Sequence, residues 1–149
     1  MKSKVNEISL RYKNHYKLKN APKISSSNKA AEIFLECWEG DLMELQECFL
    51  IMFLNNSNKV KGFLRLSKGG ITGTLVDIRI LFAVALKSLS TAIILAHNHP
   101  SGNLTPSESD KALTTKIKQA GEFMDIKVLD HIILIPDGNY FSFADEGLL

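Results

Sequence analysis

The chain has 149 residues, 45% apolar and 23% charged, which suits one soluble domain with its own core and excludes a fibrous or disordered protein. No apolar run approaches the roughly 20 residues that cross a bilayer, and the N-terminus lacks the apolar core of a signal peptide, so a cytoplasmic protein without membrane contact is expected. The formal net charge of +2 is uneven: residues 1–30 carry eight Lys/Arg against one acidic residue, and the remainder is net acidic.

Residues 5–13 alternate, with Ile8, Leu10 and Tyr12 on one side, and predict a half-buried or edge strand. The polar stretch 14–27, with Pro22, reads as a linker. Residues 1–25 therefore form a basic strand and linker ahead of a domain over 26–149. Such an arm can make weak contact with nucleic-acid phosphate. Aromatic interleaving is limited to Tyr12 and Tyr16, so the plainer reading is a solvated segment.

Ser26 or Ser27 can cap a helix over 28–39 with Ala30, Ile33, Phe34 and Cys37 as its apolar stripe and Trp38 beside it. The continuous apolar run 48–54 predicts a central strand buried on both faces. Asn55 to Asn58 is a turn, and 59–66 returns as the second strand of a hairpin. Residues 68–73 read as a glycine loop or short strand. Asp77 or Thr74 opens a helix over 77–89, followed by a strand over 91–96. A helix over 106–123, a strand over 126–135 interrupted by Asp130 and His131, a turn at 136–139 and a short strand over 140–143 complete the chain. The alternation predicts an α/β fold: a single domain with a central mixed β-sheet flanked by helices. Cys37 and Cys48 are too few for a zinc knuckle or a redox pair and are expected to be buried free thiols.

The stretch from Ala96 to Asp110 carries the chemistry. His97 and His99 follow a strand with one residue between them, so in extended chain both side chains share a face. Pro100-Ser101-Gly102-Asn103 forces a turn. Thr105 is the expected N-cap, Pro106 the first helical residue and Glu108 the other half of a capping box. Ser107 and Asp110 then lie three apart on one helix face. Two imidazoles and a carboxylate are the ligand set of a catalytic zinc, with a fourth position left for water. His97, His99 and Asp110 are the candidate ligands and Zn²⁺ the candidate cofactor. A nucleobase deaminase also pairs zinc with Glu, but it needs H-x-E and P-C-x-x-C, and neither is present.

The string H-x-H-P-S-G, four residues, then S-x-x-D resembles the JAMM/MPN metalloproteases, and the wording His97-Asn98-His99-Pro100-Ser101-Gly102 resembles their bacterial RadC-like branch. The resemblance extends from about Ile24 to Leu149. It includes Gln46-Glu47-Cys48-Phe49, Gly73 to Asp77, Leu129-Asp130-His131 and Phe141 to Gly147. Ile78 stands where many RadC-like chains have Pro. The resemblance implies the JAMM/MPN, cytidine-deaminase-like architecture and hydrolysis of a peptide or isopeptide bond in a protein or peptide substrate.

Hydrolysis also needs a carboxylate base near the metal. The residues alone leave Glu39, Glu44, Glu47 and Glu108 open. The resemblance selects Glu47 as catalytic base, with Glu44 as competitor, and makes Ser107 the hydroxyl that meets the carbonyl oxygen as it gains charge. Asp130 is a candidate partner for a ligand His, and His131 reads as a hydrogen-bonded core histidine. RadC-like proteins are traditionally labelled DNA repair proteins, and the fold has members without metal that act as scaffolds. A non-catalytic, repair-associated or protein-interaction module is the alternative.

Overall fold

A computed structural model describes residues 6, 8, 9, 17–69 and 75–149. The strand expected over 5–13 and most of the glycine loop expected over 68–73 lie outside the described residues.

Helix α1 (Ser27–Cys37) starts where the Ser26 hydroxyl accepts the Lys29 N–H at 3.1 Å. A short 3-10 turn (Gly40–Leu42) leads to β1 (Cys48–Leu54), which is buried at every position. An Asn55–Asn58 turn, with Asn58 at φ 57, connects β1 to β2 (Val60–Lys68). Asp77 caps α2 (Ile78–Lys87) by accepting the Arg79 N–H. Strand β3 (Ala92–Asn98), helix α3 (Glu108–Phe123), β4 (Lys127–Leu134) and β5 (Tyr140–Ser142) follow.

Among the described residues the five strands form one sheet in the order β2-β1-β3-β4-β5. The β3–β4 pair is parallel and the others are antiparallel, so the sheet is mixed as expected. Strand alternation divides the core between its two faces. Leu50, Met52, Ile94, Ala96 and Ile132 pack with Phe34 and Trp38 of the α1 side. Phe49, Ile51, Ile93 and Leu95 pack with Leu81 of α2 and Ile117 of α3. Gly121 lets the end of α3 fold back on β4, since a Cβ there would stand 2.4 Å from the Ile126 carbonyl oxygen.

Four expectations change. Strand β3 runs through His97 and Asn98 instead of ending at Ala96. Helix α3 begins at Glu108, and its N-cap is Ser107. Thr105–Glu108 and Ser107–Asp110 both fit a capping box, and serine is the better cap. The Thr105 N–H that Glu108 would accept in a capping box goes instead to the Asn103 side chain. Strand β4 is not interrupted, because Asp130 and His131 are buried within it with hydrogen-bond partners. Cys48 is buried, but Cys37 is only partly so; both are free thiols.

Candidate metal centre

The site lies at the C-terminal end of β3. The β1–β3 register sets Phe49 opposite His97, and the β3–β4 register sets His97 beside Ile133. Between Ile93↔Val128 and Ile94↔Asp130 the β4 register slips by one residue. A one-residue slip exchanges the faces of the strand. Val128 before the slip and His131 after it therefore both serve the α2/α3 face, and Asp130 faces the other way.

His97 Nε2 and His99 Nε2 are 2.9 Å apart. Asp110 Oδ1 is 3.4 Å from His97 Nε2, and Asp110 Oδ2 is 3.3 Å from His99 Nε2. With one ligand atom per residue the three donors lie within 4.8 Å of one another, against about 3.3 Å around tetrahedral zinc, so the set fits zinc in type and needs only a small closure in spacing. Strand alternation brings the two imidazoles to one side, and the first turn of α3 presents Asp110 to both. The Ser107 hydroxyl accepts the Asp110 N–H at 3.0 Å, and the Asp110 carboxylate accepts the Ser107 N–H at 2.8 Å. Asp110 is therefore positioned by the cap that starts its helix. As an acceptor here, the Ser107 hydroxyl keeps its own hydrogen to donate.

The local field favours a cation. Burial pulls the His99 pKa down, but Asp110, the Asn103 carbonyl and the charge of Glu47 together raise it above the ordinary value. Burial acts upward on Asp110, and the two imidazoles outweigh it, holding the carboxyl well below its usual range.

A cleft of about 540 Å³ opens over these groups, lined also by Glu47, Phe49 and Ser107. Of the carboxylates left open by the residues alone, Glu47 lines this cleft. Glu44 and Glu108 are exposed, and Glu39 pairs with Arg65 and Lys68. A second hollow of about 560 Å³ lies near Gly121, Ile126 and Val128, by the start of β4, and has no histidine in its lining.

A profile of the RadC-like JAB domain family matches residues 24–148. The chain belongs to this family. It is 52% identical over 126 residues to a UPF0758 protein of Flavobacterium johnsoniae, covering 85% of this chain and 53% of that protein. It is 46% identical over 104 residues to a UPF0758 protein of Porphyromonas gingivalis, covering 70% and 46%. A UPF0758 protein of Chlorobaculum parvum is 32% identical over 148 residues, covering 99% and 66%. The chain spans about half the length of the first two relatives.

Three residues of this RadC-like domain contribute more than their place in the sequence suggests. Asn98, between the two histidines, points to the opposite face. Its side-chain oxygen accepts the Cys48 N–H at 2.7 Å, and its amide donates to the Met43 and Gln46 carbonyls at 2.8 and 2.9 Å. It ties the segment carrying Glu47 to the strand carrying the histidines. His131, not Asp130, touches a candidate ligand: its Nε2 is 2.7 Å from His97 Nδ1, and its Nδ1 is 2.6 Å from the Thr114 hydroxyl. Burial holds the His131 pKa well below the ordinary value. Asp130 turns to the Ser142 hydroxyl and to the N–H groups of Ala144 and His131, and burial raises its pKa despite those bonds. Phe143 stacks on His131 at 4.7 Å, so the Leu129–His131 and Phe141–Gly147 stretches meet behind the site. Thr114 lies four residues after Asp110 on the same helix face, a spacing that could have identified it. No helix among the described residues is long and apolar enough to cross a membrane.

Proposed function

We propose that this RadC-like domain is a zinc-dependent hydrolase of amide bonds, acting on a peptide or isopeptide linkage in a protein or peptide substrate. One observation carries the reading: two imidazole nitrogens and a carboxylate converge at 2.9–3.4 Å in a cleft that Glu47 and Ser107 also line. His97, His99 and Asp110 would hold the metal. When bound, zinc would supply an acidified water and a Lewis acid for the carbonyl.

The chain's own groups then divide the remaining work. Glu47 takes the proton from the attacking water and delivers it to the leaving amine, a role worth about 10²–10⁴ in rate. Ser107 donates its hydroxyl hydrogen to the carbonyl oxygen as charge develops there, worth about 2.7–4 kcal/mol. Asp110 and Ser107 share one capping box, so ligand and donor are set at a fixed separation. Asn98 holds the Glu47 segment to the same strand.

The test is metal content of the purified protein, wild type beside Asp110→Ala. About one zinc per chain, lost in the variant, is expected from a three-ligand site. Peptidase assays then follow with Glu47→Ala as the inactive, zinc-retaining control. Wild type that takes up no zinc at neutral pH overturns the reading and leaves a scaffold with the same fold.

A further inference from the structure

We propose that Thr114 and His131 form a positioning relay that fixes the tautomer of His97, leaving its Nε2 lone pair aimed at the metal position. The inference rests on the zinc reading above and goes beyond the ligand set.

The direction of each hydrogen bond follows from the chemistry of its ends. The Thr114 hydroxyl donates to the Asp110 main-chain carbonyl at 2.7 Å. A carbonyl oxygen can only accept, so the single hydroxyl hydrogen is used there. Thr114 Oγ1 must then accept from His131, which places a hydrogen on His131 Nδ1, 2.6 Å away. His131 is fully buried, stacked on Phe143 and edge-on to Phe49. A hydroxyl and an imidazole face its two nitrogens, with no carboxylate on either; in the neutral ring, with its hydrogen on Nδ1, Nε2 carries a lone pair. That lone pair, 2.7 Å from His97 Nδ1, accepts the hydrogen there. His97 Nε2 is left as a lone pair, facing His99 and Asp110.

His99 reaches the same state by a shorter route. In the neutral ring its Nδ1 donates to the Asn103 carbonyl at 2.5 Å, which leaves its Nε2 as a lone pair too. With both rings neutral, two nitrogen lone pairs face each other at 2.9 Å, an arrangement that a shared cation stabilises. The relay starts at the main chain of Asp110, so one ligand residue orients another through its own helix turn. Thr114 and His131 are positioning residues, since neither lines the cleft.

The test compares zinc affinity, by competition with a chromophoric chelator, in wild type, Thr114→Val, Thr114→Ser and His131→Phe. Long-range proton–nitrogen NMR of the metal-free wild type reads the His97 tautomer directly. Outer partners of metal-bound His typically contribute about 10–100-fold in affinity. Thr114→Val and His131→Phe are expected to lose about that much. Thr114→Ser, which keeps the hydroxyl, is expected to stay close to wild type, and His97 is expected to carry its hydrogen on Nδ1. Zinc affinity unchanged in Thr114→Val, or a His97 hydrogen on Nε2, overturns the relay. If His131→Phe does not fold, the Val and Ser pair at Thr114 decides. Wild type that binds no zinc overturns the proposed function instead, and the NMR measurement still judges the relay.

Discussion

His97, one residue before the end of β3, has 3% of its side chain exposed; His99, two residues on and past the strand, has 12%. Both present Nε2 to the same point, but they are held differently. His97 is anchored by His131 and Thr114, which come from β4 and α3. His99 is anchored by the carbonyl of Asn103, within its own turn. The contrast separates two ways of orienting a candidate ligand: by the packed fold, and by a loop that carries its own instructions.

Substitution should break the symmetry of the pair. His97→Ala and His99→Ala should both abolish zinc retention, yet differ in metal-free stability. Losing His97 leaves a cavity against Phe49 and an unpaired His131 nitrogen, and should cost about 2–4 kcal/mol. Losing the rim residue His99 should cost less than about 1 kcal/mol. Urea unfolding in the presence of a chelator measures both.

Next in size is Asn98→Ala. It strips partners from the Cys48 N–H and from the Met43 and Gln46 carbonyls, and should cost about 1–3 kcal/mol. Both histidines remain, so zinc stoichiometry should hold while hydrolysis slows. A variant as stable as wild type would show that the Glu47 segment is held by other contacts. Ser107→Ala should cost about 1 kcal/mol through the helix cap, and about 10²–10³ in kcat if the hydroxyl meets the developing oxyanion. Equal kcat in variant and wild type would restrict Ser107 to capping.

The smallest effect is in pH. The His99 pKa is raised from 6.5 in the metal-free fold, so its contribution to stability is complete below 6.5 and lost as pH rises through the raised value. Asp110 is lowered from 3.8, so its contribution is present above 3.8 and lost on acidification. Metal-free protein should therefore gain from this pair between those values. Zinc competes with the proton on His99, so metal affinity should instead rise with pH across the raised pKa. Urea midpoints of wild type and His99→Gln at about pH 5.5 and about pH 8 isolate the contribution: the difference between the proteins should shrink at the higher pH.

The same contrast explains what could be read from the residues. The run 48–54, the stripe of α1 and the His–x–His alternation are local patterns, and local patterns decide elements and faces. The site's outer parts are not local. His131 sits inside an apolar run, and its face depends on the register slip near Asp130, which no periodicity reveals. Asn98 looks like a spacer until β1 is placed beside it. Two overlapping strings satisfy the capping rule at the start of α3, and only the structure shows that Ser107 and Asp110 close the box.

The Asn98 side chain also has a mechanical consequence. Three hydrogen bonds from one amide couple the Glu47 segment to β3. The spacing between Glu47 and the two imidazoles is expected to stay nearly constant as the sheet moves, because one side chain ties both segments together.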